Sequence, residues 1–216
     1  MESNYVIRME EIQDYTVVEN LTRDSFWNVY RPGCMEHYIL HCYRNNPDFI
    51  SELSLVIEIN EKIIGHVMYS KAKLTLDNGE KVSAWTFGPI SIHPDYRQKG
   101  CGLKLLKYSL EKARTMGIGF VCIEGNIEFY RHAGFDLASK FHIHYYCEPK
   151  DAEVPYFLVL ELIPGYFKIH GIVEATYCPP KGYFAADENP RDFEAYESIF
   201  PYKEKLILPG QLQTIY

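Results

Sequence analysis

The sequence predicts an α/β protein with a mixed, strongly twisted central sheet of about six or seven strands flanked by helices, and three observations predict it. Residues 53–69 alternate in hydropathy around Asn60-Glu61, as two strands of a hairpin do. Residues 82–116 pass from a long apolar strand through a basic, glycine-punctuated turn into an amphipathic helix. Phe120-Val121-Cys122-Ile123, directly after that helix, is almost wholly apolar, as expected of a strand buried on both faces. A helical crossover between two strands implies that they run parallel, so the sheet is expected to be antiparallel at its start and parallel around a crevice.

The elements follow in order. Tyr5-Val6-Ile7-Arg8 reads as the first strand, residues 9–28 as a surface helix, and a second helix follows Pro32-Gly33. Residues 53–58 and 62–69 are the hairpin, and Asp77-Asn78-Gly79 marks the next turn. The strand over 82–92 contains Gly88-Pro89, a pair that interrupts regular pairing and marks a bulge or splay. In the helix over about 100–116, Leu103, Leu106, Leu110 and Ala113 form the apolar stripe, with Lys112 and Arg114 near its end and Gly117 beyond it. Residues 126–132 fit a short helix that leaves through Gly134-Phe135, and residues 154–162 supply another strand. Beyond Lys168 the pattern dissolves into Pro, Gly, Asp and aromatic residues. We therefore expect one catalytic-type domain over 1–167 and a loop-rich extension over 168–216 packed on the core.

Composition narrows the function. An apolar fraction of 47% over 216 residues supports one well-packed core, and eighteen tyrosines suggest amphipathic ring surface lining a cleft or an interface. A formal charge of −7 argues against general nucleic-acid binding, which needs a basic face. No stretch reaches the roughly 18 uninterrupted apolar residues of a membrane span. Six cysteines without any C-x-x-C pair, and no basic segment leading into an apolar run at the N-terminus, suggest a reduced, cytoplasmic protein. His142-x-His144 has a spacing that puts two imidazoles on one strand face, but without further ligands nearby a solvated face is favoured and no metal is expected.

The chemistry concentrates in Ser91-Ile92-His93-Pro94-Asp95-Tyr96-Arg97-Gln98-Lys99-Gly100-Cys101-Gly102-Leu103. Glycine lets a backbone approach an anion, the first helical turn has N–H groups without intrahelical partners, and the helix dipole favours negative charge there. Asp and Glu are absent from 97–107, while Arg97, Lys99, Lys104 and Lys107 are present. A dinucleotide-binding G-x-G-x-x-G would need a third glycine at Leu105, and a P-loop would need Gly-Lys-Ser/Thr.

From Gly88-Pro89-Ile90 through Gly102 the chain resembles the GCN5-related N-acetyltransferase (GNAT) superfamily, more narrowly its bacterial members of predicted acetyltransferase type. Arg97, Gly100 and Gly102 stand in the superfamily's Arg/Gln-x-x-Gly-x-Gly/Ala signature, and Phe129-Tyr130-Arg131-His132-Ala133-Gly134-Phe135 is similar to its Tyr-x-x-x-Gly-Phe element. The resemblance covers residues 50–165 and is weak outside. It implies acetyl-CoA as cosubstrate, with the pyrophosphate on the amides of Gln98, Lys99, Gly100, Cys101, Gly102 and Leu103. It further implies Arg97 and Lys104 beside the phosphates, and the pantetheine arm paired along Ile90, Ser91 and Ile92.

The same resemblance implies transfer of acetyl to a primary amine by direct attack on the thioester, with Tyr130 as the acid that protonates the departing thiolate. The proton acceptor is left open among Glu124, His93 and ordered water; Glu124 could equally cap a helix and His93 merely precede Pro94. Asn126 is a candidate for cofactor contact and equally for an N-cap. Cys101 and Cys122 have no activating histidine beside them in the sequence, so a covalent acyl-cysteine route is not expected. The acceptor expected from the acidic balance is a small cationic amine, with a protein amine as the alternative and a homodimer as the family's common assembly. The rival reading is a noncatalytic acyl-CoA sensor of the same fold, which would keep the turn and have no use for Tyr130.

Overall fold

The computed structural model describes residues 5–211. β1 (Tyr5–Met9) pairs antiparallel with β2 (Leu55–Ile59), and β2 with β3 (Lys62–Leu76). The connecting Asn60 and Glu61 are both left-handed, with φ of 50° and 61°, which matches the turn to the twist of the hairpin. β3 is the spine of the sheet. β4 (Lys81–Ile92) covers one of its edges from Gly65 to Thr75. β2 and β9 (Ala175–Cys178) share the other edge, β2 at its start and β9 at its end.

β7 (Ile143–Tyr145) extends the sheet beyond β9 as a parallel pair. A second, antiparallel sheet joins β5 (Phe120–Glu124), β8 (Phe157–Glu161) and β6 (Asp136–Leu137) in the order β5-β8-β6. The architecture is thus a mixed α/β sheet with an antiparallel start, as expected. The expected parallel ladder between β4 and β5 is corrected: β5 is paired to β8, and among the described residues β4 pairs only β3. The two strands still lie side by side, with the Trp85 and Phe120 rings 6.0 Å apart.

Residues 63–70 of β3 are buried without a break because both faces of the sheet are covered. Ile63 and Met68 face α1 (Tyr15–Phe26) and α2 (Glu36–Tyr43), where Val18, Leu40 and Tyr43 pack. Ile64, Val67 and Tyr69 face α3 (Cys101–Thr115) across Leu105, Leu106 and Leu110. α3 buries Cys101, Leu105, Leu106, Ser109, Leu110 and Ala113, so Leu105 takes the place that the apolar stripe assigned to Leu103, which is half-buried. α1 is also more enclosed than the surface helix expected of it, with Val18, Leu21, Thr22, Arg23 and Ser25 buried.

Val18, Thr22 and Ser25 are covered by the sheet and α2, and Arg23 by the chain after Lys168. That segment, expected to be loop-rich, supplies β9 to the main sheet, then α6 (Ala185–Glu188) and α7 (Pro190–Glu197), following α5 (Tyr166–Ile169). α7 docks on α1 through Glu197, which accepts from Arg23 Nη2 at 2.5 Å and Nε at 3.1 Å. Residues 201–211 then cross the end of α1, where Trp27 Nε1 donates to the Glu204 carbonyl at 2.9 Å and Leu206 N to Asn28 Oδ1 at 3.1 Å. Among the described residues no helix is long and apolar enough to cross a membrane.

His37 sits fully buried under this docking, ringed by Phe193, Tyr196 and Phe200. Its Nε2 lies 2.9 Å from Glu197 Oε2, but out of line for a regular hydrogen bond, and its Nδ1 faces Cys34 Sγ at 3.4 Å. Burial outweighs the pull of Glu197 and lowers the imidazole pKa from 6.5 to about 4. The unfolded chain therefore binds this proton more readily than the folded one, and stability is full above pH 6.5 and lost as pH falls towards 4. We expect denaturant unfolding to show the wild type losing up to about 3 kcal/mol more than His37→Asn between pH 7 and pH 4; parallel losses would disprove a neutral buried His37.

Candidate functional site

The site is built where β4 ends. Between Val67 and Tyr69 of β3 the register shifts, so that Gly88 and Pro89 of β4 together face Met68. Past that bulge, His93 N donates to the Ile64 carbonyl at 2.8 Å, which makes His93 and Ser91 the residues whose backbone faces β3. Ile90 and Ile92, the alternate residues, direct their backbone groups to the opposite edge, where no strand is paired. Ser91 is turned away altogether: it pairs with His66 and its buried hydroxyl lies 3.2 Å from that of Thr22. Of the three residues expected along the crevice, Ile90 and Ile92 present backbone to it and Ser91 does not. The Ile92 carbonyl is partly engaged, accepting from Ser25 Oγ at 3.0 Å.

The turn follows. A short 3-10 segment (Pro94–Tyr96) is capped by His93, whose Nδ1 accepts from Asp95 N at 3.3 Å. Gln98 and Gly100 are left-handed, with φ of 58° and 79°, and α3 starts from Gly100. Among the described residues, none of the N–H groups of Gln98, Lys99, Gly100, Cys101, Gly102 and Leu103 has a protein acceptor; Lys104 N is the first to close the helix, onto the Gly100 carbonyl at 3.0 Å. Six consecutive free donors at the positive end of a 15-residue helix form a cradle suited to an anion.

The cations divide. Arg97 is not directed at the cradle: its Nη2 donates to the Ser25 carbonyl, and Nε lies 3.4 Å from the Ile92 carbonyl, so it ties the turn to α1. Lys99 and Lys104 are exposed, with their ammonium groups 5.5 Å from the Tyr96 ring and 4.5 Å from the Tyr5 ring. Both have long stems that leave them free to reach an anion.

β5 and the short helix α4 (Ile127–Tyr130) make the other wall. Asn126 caps α4, its Oδ1 accepting from Glu128 N at 2.9 Å, so the side chain named as a cofactor contact is engaged by the backbone. Tyr130 is buried among Phe87, Phe129 and Phe135, with ring centroids 5.9, 5.0 and 5.7 Å away. Gly125 makes that position available, since a Cβ there would stand 2.2 Å from Tyr130 Cε2. Burial raises the phenol pKa far above 10, which keeps it protonated at neutral pH.

Glu124 ends β5. Its carboxylate is open to solvent yet sunk among protein groups; that crowding raises its pKa, while Tyr145, donating from Oη at 2.8 Å, partly offsets the rise. Sequence reasoning placed Glu124 here but missed Tyr145 and Tyr183, whose hydroxyl donates to the Gly88 carbonyl at 2.9 Å. The surplus of tyrosines was the available signal.

Cys101 and Cys122 are both buried, and burial raises the Cys122 thiol, which makes it a poor nucleophile. All six cysteines are unpaired. The two histidines expected on one strand face are separated: His142 is left-handed and precedes β7, and His144 Nε2 meets Glu174 Oε1 at 2.8 Å. No group of three metal-ligating side chains occurs among the described residues.

Comparison with known proteins gives a consistent picture. The sequence model of the family described as Acetyltransferase (GNAT) domain matches residues 7–138. An uncharacterized N-acetyltransferase, YjhQ of Escherichia coli K12, is 29% identical over 86 residues, which are 39% of this chain and 46% of that protein, so the chain matches about half the length of this curated relative. Among solved structures, the GNAT family N-acetyltransferase YhbS from Escherichia coli, in complex with CoA, superposes with a TM-score of 0.69 at 20% identity, over 85% of this chain and 93% of that one. A GNAT family acetyltransferase from Brucella melitensis, in complex with acetyl-CoA, gives 0.65 at 21% identity, over 84% and 99%.

Two glycine substitutions test the local geometry. Gly100→Ala meets no neighbour but must hold a left-handed backbone, so chemical denaturation should show a loss of about 1 kcal/mol. Gly125→Ala must displace Tyr130 and should cost about 1–3 kcal/mol. A Gly125→Ala protein as stable as the wild type would show that the Tyr130 ring is not held where the structure puts it.

Proposed function

Because the chain belongs to the GNAT acetyltransferase family, we propose that it transfers the acetyl group of acetyl-CoA to a primary amine by direct attack on the thioester. The observation that carries this reading is the row of six free amides at the mouth of α3 beside a β4 edge that no strand occupies. The cradle would take the diphosphate, with Lys99 and Lys104 closing over it, while the free edge at Ile90 would pair with the amides of the pantetheine arm. Two of the structural likenesses are to proteins bound to CoA or acetyl-CoA, which supports this choice of cosubstrate. Arg97 acts indirectly, by holding the turn on α1.

The chemistry is a balanced proton relay. An amine arriving as an ammonium gives one proton to Glu124, which is favoured over His93 because the latter's Nδ1 is taken up in capping. The neutral nitrogen attacks the acetyl carbonyl, the N–C bond forms, and the C–S bond breaks. Tyr130 donates its proton to the leaving thiolate and recovers one from the new amide nitrogen. The sum is amide, thiol and one proton released through Glu124. The crowding that raises Glu124 makes it a better proton acceptor than an ordinary carboxylate, while solvent access lets it discharge.

Three measurements test this. Tyr130→Phe should lower kcat by about a hundredfold with cofactor affinity unchanged; equal turnover would remove the acid. Gly102→Glu, which places a carboxylate at the cradle beside Ile92 and Phe129, should weaken acetyl-CoA binding by about tenfold or more, and unaltered affinity would mean that the cradle is not the phosphate site. The acidic limb of the kcat/KM profile should lie above the ordinary carboxylate value of 4.5 and vanish in Glu124→Gln; a limb that persists would assign the base elsewhere. Tight acetyl-CoA binding with no acetylated product from any amine would favour the sensor reading.

A further inference from the structure

The chain beyond Lys168 returns to the sheet as β9 and carries Tyr183 and Phe184 after it, and among the described residues Glu124 pairs with the Tyr145 hydroxyl and with no cation. These two facts meet in one place. From the rest of the chain Tyr145 holds the Glu124 carboxylate, and its ring lies 5.5 Å from Tyr146 and 5.8 Å from Tyr156. From the segment after Lys168, Tyr177 stands 6.2 Å behind Tyr145, Phe184 lies 6.5 Å from Tyr146, and Tyr183 reaches the Gly88 carbonyl at the β4 bulge. Burial is what chiefly makes the hydroxyls of Tyr145, Tyr146, Tyr156, Tyr177 and Tyr183 harder to ionise, and the nearby charge of Glu124 adds a smaller push in the same direction at each. A carboxylate exposed beside this group of rings, and paired only with a hydroxyl, is under-neutralised.

The geometry points to this tyrosine-rich face around Glu124 as an acceptor pocket for a dicationic amine, with Tyr183 of the C-terminal segment as a specificity residue rather than part of a passive appendage. This rests on the acetyl-transfer reading for its use, but not for its detection. The ring faces attract an ammonium through their quadrupoles, and the carboxylate supplies the opposite charge. Glu148 lies within electrostatic reach of Tyr156, which adds to the negative potential on this face. An amine with a second positive charge is therefore favoured over one carrying a carboxylate, and the formal charge of −7 steers in the same direction. Tyr183 bridges the pocket to the bulge, so the nitrogen held beside Glu124 is brought to the point where β4 and β5 part.

The test separates binding from turnover. Titration calorimetry of 1,4-diaminobutane and of 4-aminobutanoate into the full chain should give about tenfold tighter binding of the diamine. Glu124→Gln should erase that difference, and Tyr156→Ala, at a position 44% exposed where folding is not at stake, should weaken the diamine severalfold. Tyr183→Phe should raise the KM for the diamine with kcat for bound amine retained. Equal binding of the two amines, tighter binding of 4-aminobutanoate, no binding of either, or a preference that survives Glu124→Gln would overturn the pocket. Mass analysis after adding acetyl-CoA distinguishes the two levels. A preference without acetylated product removes the transfer reading and leaves the pocket; product without the preference does the reverse.

Discussion

β4 can be paired on one edge only, and the rest of the site depends on that. Along Lys81 to Phe87 it follows β3 in regular register; at Gly88 and Pro89 two residues face one, and the ladder resumes with the alternation reset. Proline has no N–H to give, so a second strand could not be continued across this point in register. β5 takes β8 as its partner and leaves the Ile90 edge open. Open backbone groups cost about 1–3 kcal/mol each when nothing replaces water, so the arrangement is tolerable at a solvent-filled crevice and would not be in the core. The cradle at the start of α3, the Tyr130 ring behind Gly125 and the Glu124 carboxylate are all placed by the ends of these two strands.

What holds the crevice open is the rigidity of its surroundings. α1 and α2 are pinned by charges rather than by apolar contact alone. Arg44 is shared between Glu10 and Glu19, at 2.6 Å from Glu10, with its guanidinium 3.7 Å from the Tyr15 ring. Although burial disfavours its charge, His66 and Arg44 hold the Glu10 carboxylate down at about 2. Such networks add little net stability but are costly to break, because removing one member strands another buried charge. Their effect is positional: they tie α1 to α2, and Arg97 fixes the turn against the Ser25 carbonyl of α1.

The parts legible in the sequence are those whose geometry is set within a few residues. The free amides of 98–103 follow from Gly100, Gly102 and the absence of competing side chains, and the cap at Asn126 follows from its place at the start of α4. Roles that depend on distant partners were not legible. Arg97 reads as a phosphate ligand until its acceptor, 72 residues away, is known. β9 is only four residues long and adjoins Pro179-Pro180, so nothing local announces that it enters the main sheet on the edge of β3. The choice of Leu105 over Leu103 depends on which face α3 turns to Ile57 and Ile64, a tertiary matter that its own periodicity leaves open.

The two walls of the crevice are built from different materials, and this bears on how acceptor choice would be encoded. The α3 side consists of main-chain donors and a free strand edge, so side-chain replacement there changes it chiefly by adding bulk or charge, as at Gly102. The Glu124 side consists of side chains contributed by β5, β7, the loop before β8 and the chain after β9. Tyr183 and Phe184 come from a segment anchored to the sheet by four ladder residues and to α1 by the Arg23–Glu197 pair. Substitutions in that segment can reshape the cleft without disturbing the hydrogen bonds that hold the turn, because the two sets share no atoms. An acceptor pocket assembled this way would change its amine while leaving the thioester in place. The Tyr183–Gly88 hydrogen bond is the contact at which the two walls meet, and it is where a change in one would be felt by the other.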